Sequence, residues 1–263
     1  MPRMLESGRE NPHTLLFFPC TAEPVWAFAD TVAQLSQKWH VFQVVYDGHQ
    51  PEYPGDFTSI EQTVDAAVEY LKTHGISRLD GAYGCSMGGA CLTRMLALGE
   101  MPIGRAIIDG GITPYPLPYL IRKLLLVRDV LSFKIAANNR KVLEAAFPPE
   151  RFTPPGRDPK KEYDAMEAYL QTFTNRTIRR VFWSANNYAL PRLPANTGTK
   201  ITYWYGDDEK KDRRRDIRFI KRYFPQVRTH GIPKMAHAEL VMVHPEEFCR
   251  YAEKFLTLQT EET

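Results

Sequence analysis

Two kinds of hydrophobic pattern alternate along the first part of the chain. Short, nearly continuous apolar runs occur at His13–Phe18 (HTLLFF), His40–Tyr46 (HVFQVVY), Leu79–Cys85 and Arg105–Asp109 (RAIID), and each gives way quickly to glycine or proline. Runs of this length bounded by turn residues predict strands buried on both faces, as in a parallel sheet. Between them, apolar residues recur at helical spacing. Ile60, Val64, Ala67, Val68 and Leu71 predict a helix with Ser59 as N-cap, Gln62 completing a capping box and Gly75 as the stop. Further helices are predicted over Val25–Gln37 and over Met87–Leu98, where Leu92, Met95 and Leu96 mark the apolar side. Strands that alternate with helices in this way call for a parallel sheet covered on both faces.

After Gly110-Gly111 the alternation stops. Residues 113–199 read as several helical segments separated by proline clusters such as Pro148-Pro149 and Pro154-Pro155. The expectation is a helical cap over 113–199, inserted between two parts of one α/β core, 1–112 and 200–263. Its first segment, Leu117–Val130, is apolar with Arg122, Lys123 and Arg128 interspersed. It is read as an amphipathic helix covering a pocket, in preference to one touching a membrane. Lys200–Tyr205 (KITYWY) restores the strand pattern, and a charged helix over Lys210–Phe224, a strand over Val227–Ile232 and a helix over Glu246–Leu258 complete the chain. The predicted fold class is α/β, a mostly parallel sheet of about six strands flanked by helices, without a leading antiparallel hairpin.

Composition narrows the function classes. The 263 residues carry a net charge of +3, too balanced to argue for a nucleic-acid partner. The run Arg213-Arg214-Arg215 is interrupted by Asp208, Glu209, Asp212 and Asp216, which suits a solvated helix face. No run approaches the roughly 18 apolar residues of a membrane span, and the polar start resembles no secretory signal. Cys20, Cys85, Cys91 and Cys249 are scattered and form no C-x-x-C pair. Free thiols in a reducing, cytoplasmic setting are therefore expected, with no metal site, no cofactor and no stable membrane insertion; a homodimer is left open.

The chemistry concentrates in Asp80–Leu92 (DGAYGCSMGGACL), around Gly84-Cys85-Ser86-Met87-Gly88. A G-x-S-x-G sequence between a strand and a helix exposes a serine on a tight, strained turn. Such a serine needs a base, a group that orients the base, and donors for an oxyanion. In an open parallel sheet the site gathers at the carboxyl ends of the strands. His237 is the histidine in the right kind of loop, just past the last strand. The other six lie in or beside strands, at helix ends or in an early loop. For the acid, Asp207, Asp208 and Glu209 compete after the penultimate strand, with Asp109 as an outside candidate.

With these motifs the chain resembles the α/β-hydrolases over essentially its whole length. Gly84–Gly88 resembles their nucleophile elbow, Ala236-His237 with His244-Pro245-Glu246-Glu247-Phe248 their G-H loop and P-E-x-F helix start, and Gly206-x-x-Glu209 their G-x-x-D turn. The resemblance implies a catalytic triad of Ser86, His237 and Glu209. It also implies an oxyanion hole from the backbone N–H groups of Met87 and Thr21, Pro19-Cys20-Thr21 standing in place of the family's H-G-x. Two residues depart from the pattern, Cys20 in place of glycine and Glu209 in place of the commoner aspartate. The implied activity is a serine esterase on a small-molecule ester with an apolar acyl or aromatic group. Leu117, Tyr119, Leu120, Phe173, Trp183 and Tyr188 are expected to supply the apolar pocket. A thioesterase or lactonase would use the same machinery, and a non-catalytic binder could share the fold.

Overall fold

Period-two alternation within the apolar runs decides how the layers of the protein meet. In a computed structural model, which describes residues 3–257 except 54, 115 and 116, the sheet comprises β1 (Arg3–Ser7), β2 (Thr14–Phe18), β3 (His40–Val45), β4 (Leu79–Cys85), β5 (Ile103–Asp109), β6 (Lys200–Gly206) and β7 (Arg228–Ile232). Leu16, Phe18, Phe42, Val44, Ala82 and Ile108 point to one side. There they pack on α2 (Ile60–Thr73), α3 (Met87–Leu98) and α9 (Lys210–Tyr223). Leu15, Phe17, Val41, Tyr83 and Ile107 point to the other side, against α1 (Ala29–Leu35) and α11 (Pro245–Leu256). Both sets are essentially solvent-free, as strands sandwiched between helix layers require.

The strand order is β1-β3-β2-β4-β5-β6-β7. The strands from β2 to β7 are parallel, and β1 runs antiparallel to β3 at the edge, pairing Arg3 with Val45 and Ser7 with Val41. This leading antiparallel strand corrects the sequence expectation that the chain starts directly with the parallel set. Its sequence, RMLES, buries Met4 alone, while Glu6 receives hydrogen bonds from Tyr70 and pairs with His40. An edge strand held by backbone pairing and polar contacts leaves almost no hydrophobic pattern to read.

Ser59 caps α2 as its spacing predicts, accepting the Gln62 N–H over 3.2 Å. The helix predicted at Val25–Gln37 begins instead as a 3-10 turn, Val25–Phe28, before α1. Of the helix predicted to Leu258, α11 ends at Leu256, and Leu258 lies outside the described residues.

Between β5 and β6 the chain forms α4 (Tyr119–Ala137), α5 (Arg140–Ala146), α6 (Pro149–Phe152), α7 (Pro159–Leu170) and α8 (Asn175–Asn187). These helices share a small core of their own, built on Val130, Leu143, Tyr163, Tyr169, Leu170, Phe173 and Ile178. The short α10 (Glu239–Val243) precedes α11. The sheet order reverses direction at β2, which pairs with β3 on one side and β4 on the other. A crevice therefore opens beyond the carboxyl ends of β2 and β4, the place where open α/β sheets bind ligands.

Candidate active site

β4 delivers Ser86 into that crevice. Ser86 has φ 57° and ψ −116°, between the last residue of β4 and the first of α3. A side-chain-bearing residue in this region costs about 1–3 kcal/mol, which its surroundings must impose. They do so through backbone bonds: the Ser86 N–H donates to Asp109 C=O over 2.9 Å, and Ser86 C=O accepts from Ala90 and Ile112. The glycine at 88 is required by closeness, because a methyl there would stand 2.2 Å from the Phe18 carbonyl oxygen. Ser86 is thereby clamped between β2 and β5.

The four strands after β2 contribute in sheet order: Ser86 after β4, Asp109 at the end of β5, Glu209 after β6, His237 after β7. His237 Nδ1 lies 2.8 Å from Glu209 Oε2. The same carboxylate is held by Arg213 Nε at 3.0 Å, and its Oε1 accepts the Gly206 N–H at 3.3 Å. Burial alone would raise the Glu209 pKa, but the His237 hydrogen bond and the nearby Arg213 charge prevail and hold it below the ordinary carboxylate value. An ionised acceptor fixes the proton of His237 on Nδ1 and leaves Nε2 with a free lone pair.

The other acids are occupied elsewhere. Asp109 accepts the Tyr83 hydroxyl at 2.7 Å, and burial pushes its pKa up to about 6. Asp208 is exposed and pairs with Arg151 at 2.8 Å, while Asp207 is exposed on the same turn. The run Arg213–Arg215 is not simply a solvated face: Arg213 is drawn inward between Glu209 and the fully buried Asp216, which in turn accepts from Thr113. Beside the imidazole, Gly110 has φ +53°, and a methyl there would sit 2.7 Å from His237 Nδ1. Only glycine accommodates both the left-handed backbone and the ring.

The His237 loop is braced from the inter-strand helices. Arg151 of α6 donates to the Lys234 carbonyl at 3.1 Å and to both carboxylate oxygens of Glu239, and Glu239 accepts the Ala236 N–H at 2.7 Å. Lys234 and Ala238 both adopt positive φ, so this bracing holds a loop with strained backbone on either side of His237.

After β2, Cys20, Thr21 and Ala22 form the opposite wall. The Tyr46 hydroxyl donates to Pro19 C=O at 2.7 Å, and Thr21 Oγ1 lies 3.0 Å from Nε2 of the buried His49. Burial raises the Cys20 thiol pKa despite a hydrogen bond from Cys85, so it stays a neutral thiol. All four cysteines are free and buried. Met87 opens α3, where the first N–H groups lack intrahelical acceptors and the helix dipole favours negative charge. Among the described residues no group of His, Cys, Asp and Glu is arranged to hold a metal ion.

Ser86, His237, Cys20 and Thr21 border one cavity of about 420 Å³, roofed by the inter-strand helices. The aromatic lining is Trp26, Phe133, Phe147, Phe152, Tyr163 and Phe182. The pocket residues expected from composition, Leu117, Tyr119, Leu120, Phe173, Trp183 and Tyr188, lie elsewhere. Tyr119 and Leu120 are exposed, and Phe173 and Tyr188 sit in packed cores. Helix α4 turns Asp129, Ser132, Phe133 and Ala136 to the cavity, a choice of face that a helix with apolar residues on both sides does not reveal in its sequence. Glu23 also faces the cavity; its Oε2 is shielded from solvent without a hydrogen-bond partner among the described residues, and burial pushes its pKa up to about 8. Neither His49 nor Glu23 carries a sequence signal of its own, since each becomes relevant only when its loop is folded against the elbow.

No family model and no curated protein sequence matches the chain. Solved structures do. An α/β-hydrolase family protein from Desulfitobacterium hafniense superposes with TM-score 0.74 at 14% identity, covering 97% of this chain and 100% of its own. An enol-lactonase from Burkholderia xenovorans LB400 gives 0.69 at 19% identity, over 97% and 96% of the two chains. A protein from a study of carboxylesterases of the thaumarchaeon Nitrososphaera gargenis gives 0.68 at 15%, over 97% and 93%. With its six parallel strands, edge antiparallel strand, reversal at β2 and serine turn after β4, the chain has the α/β-hydrolase fold.

Proposed function

We propose that the protein is a serine hydrolase of carboxylic esters, working through Ser86, His237 and Glu209. The observation that carries this reading is the 2.8 Å hydrogen bond from His237 Nδ1 to a buried, ionised Glu209, on the same cavity as the strained Ser86. Ser86 Oγ attacks the ester carbonyl as His237 Nε2 takes its proton, and the N–H groups of Met87 and Thr21 receive the oxyanion. The tetrahedral intermediate collapses, the C–O bond breaks, and His237 returns the proton to the leaving alcohol. Water, deprotonated by the same imidazole, then cleaves the acyl-enzyme and releases the acid. Glu209 holds the Nδ1 tautomer and stabilises the imidazolium without taking the proton.

In this reading residues 113–199 form a cap that shapes the substrate pocket. The aromatic lining suits an apolar acyl or aromatic group, and the buried free thiols suit a cytoplasmic setting. A fluorophosphonate probe tests the proposal: Ser86-dependent labelling, lost in Ser86→Ala, is expected. A probe that labels neither form would favour a non-catalytic binder. Nitrophenyl esters of increasing acyl length, with a thioester and a lactone in the same panel, would identify the preferred bond.

A further inference from the structure

Helix α4 presents a second apolar face, opposite the one that lines the cavity. Leu120, Leu124, Val127, Leu131 and Ile135 follow one another at steps of three or four residues, and each is 53% to 74% exposed. At 100° per residue they fall within one stripe along the outer side of the helix. A continuous exposed stripe of this kind marks an interaction surface, whereas isolated exposed leucines do not.

The charges beside the stripe indicate what covers it. Lys123 and Lys134 flank it on one shoulder and Arg128 on the other, whereas the acid of the helix, Asp129, faces the cavity and takes its bond from Arg128. Lys123 lies over the rings of Tyr119 and Trp183, so an ammonium and two aromatic rings gather near the start of the stripe. A second copy docked stripe to stripe would bring lysines against lysines, with no acid of α4 on the outer face to answer them. An anionic lipid surface answers both features, taking the leucines into its acyl boundary and the lysines among its phosphates. The helix would lie on the surface, for among the described residues no helix is long and apolar enough to cross a membrane.

We propose that the outer stripe of α4 docks the protein on anionic membranes. Because Asp129, Ser132, Phe133 and Ala136 of the same helix line the cavity, docking would bring the pocket to about one helix diameter, roughly 10 Å, from the lipid. That consequence for substrate supply rests on the hydrolase reading. The docking itself does not.

Co-sedimentation with vesicles of phosphatidylcholine alone, or containing phosphatidylglycerol, tests the proposal on the full chain and on Ser86→Ala. Binding to the anionic vesicles, unchanged in Ser86→Ala and weakened by salt, is expected. The double variant Leu124→Ser/Leu131→Ser should lose about tenfold or more in partitioning, and Lys123→Glu/Lys134→Glu several-fold on anionic vesicles. Both should keep the circular dichroism spectrum and Ser86-dependent probe labelling of the parent, because these side chains lie away from the cavity. Failure to bind anionic vesicles, or binding that the leucine variant retains, would overturn the proposal. So would a dimer in sedimentation velocity that the leucine variant dissociates, which would assign the stripe to a second copy.

Discussion

The hydroxyl of Thr21 lies 3.0 Å from Nε2 of His49, whose Nδ1 lies 3.2 Å from the Asp47 carbonyl. A carbonyl only accepts, so Nδ1 carries the proton and Nε2 receives the Thr21 O–H. His49 is enclosed by the rings of Tyr46, Phe57 and Phe173, and burial lowers its pKa to about 4. A neutral, fixed imidazole thus anchors the loop that faces the elbow.

Under the proposed mechanism, replacing His49 should therefore disturb the Thr21 side of the site without touching Ser86, His237 or Glu209. His49→Leu is expected to lower kcat about tenfold with little change in KM, and His49→Gln, which keeps an acceptor, to lose less. The folded pKa lies below the ordinary 6.5, so this group removes stability as pH falls from about 6.5 towards 4. Urea unfolding at pH 7 and pH 5 should show a smaller acid loss in His49→Leu than in the parent.

The acid can be identified by comparing carboxylates. Glu209→Gln should reduce kcat by about 10³ to 10⁴, since the amide no longer fixes the right tautomer. Asp109→Asn, which keeps a partner for the Tyr83 hydroxyl, should cost less than about tenfold. Comparable losses in both variants, measured on a soluble nitrophenyl ester, would mean that Asp109 shares the orienting role.

Arg151 joins α6 to the His237 loop through Lys234 and Glu239, and to the turn after β6 through Asp208. In Arg151→Met the buried Glu239 keeps its bond to the Ala236 N–H but loses its cation. The expected result is a loss of about 1–3 kcal/mol in stability, seen as a lower Tm, together with a fall in kcat larger than any change in KM. An unchanged kcat would show that the loop holds its shape without the inter-strand helices.

Glu23 should make the fold sensitive to alkali. Its folded pKa of about 8 stands above the usual 4.5, so its protonated form is favoured on folding and stability declines as pH rises from about 4.5 to about 8. Glu23→Gln should match the parent in Tm near pH 5 and exceed it by several degrees near pH 9. Equal Tm values at both pH values would show that water or a neighbouring group already stabilises the carboxylate.

The six parallel strands, their alternation with helices in the core, and the serine turn are legible in the sequence, because all three are written in local patterns. Apolar runs bounded by turns, helical spacing, and glycines around a serine act over a few residues each. For the acid the sequence left Asp207, Asp208 and Glu209 on a short turn after β6, chemically interchangeable, with Asp109 after β5 as an outside candidate. Which of them meets His237 was decided by tertiary structure: a 3-10 turn aims Glu209 inward and leaves Asp207 and Asp208 in solvent. The same holds for β1, whose pairing depends on backbone atoms of β3 and not on hydrophobic side chains. It holds for the pocket as well. Helix α4 is apolar on both sides, so its sequence cannot say whether Phe133 or Leu120 faces the cavity, and only packing against α5 and α8 made that choice.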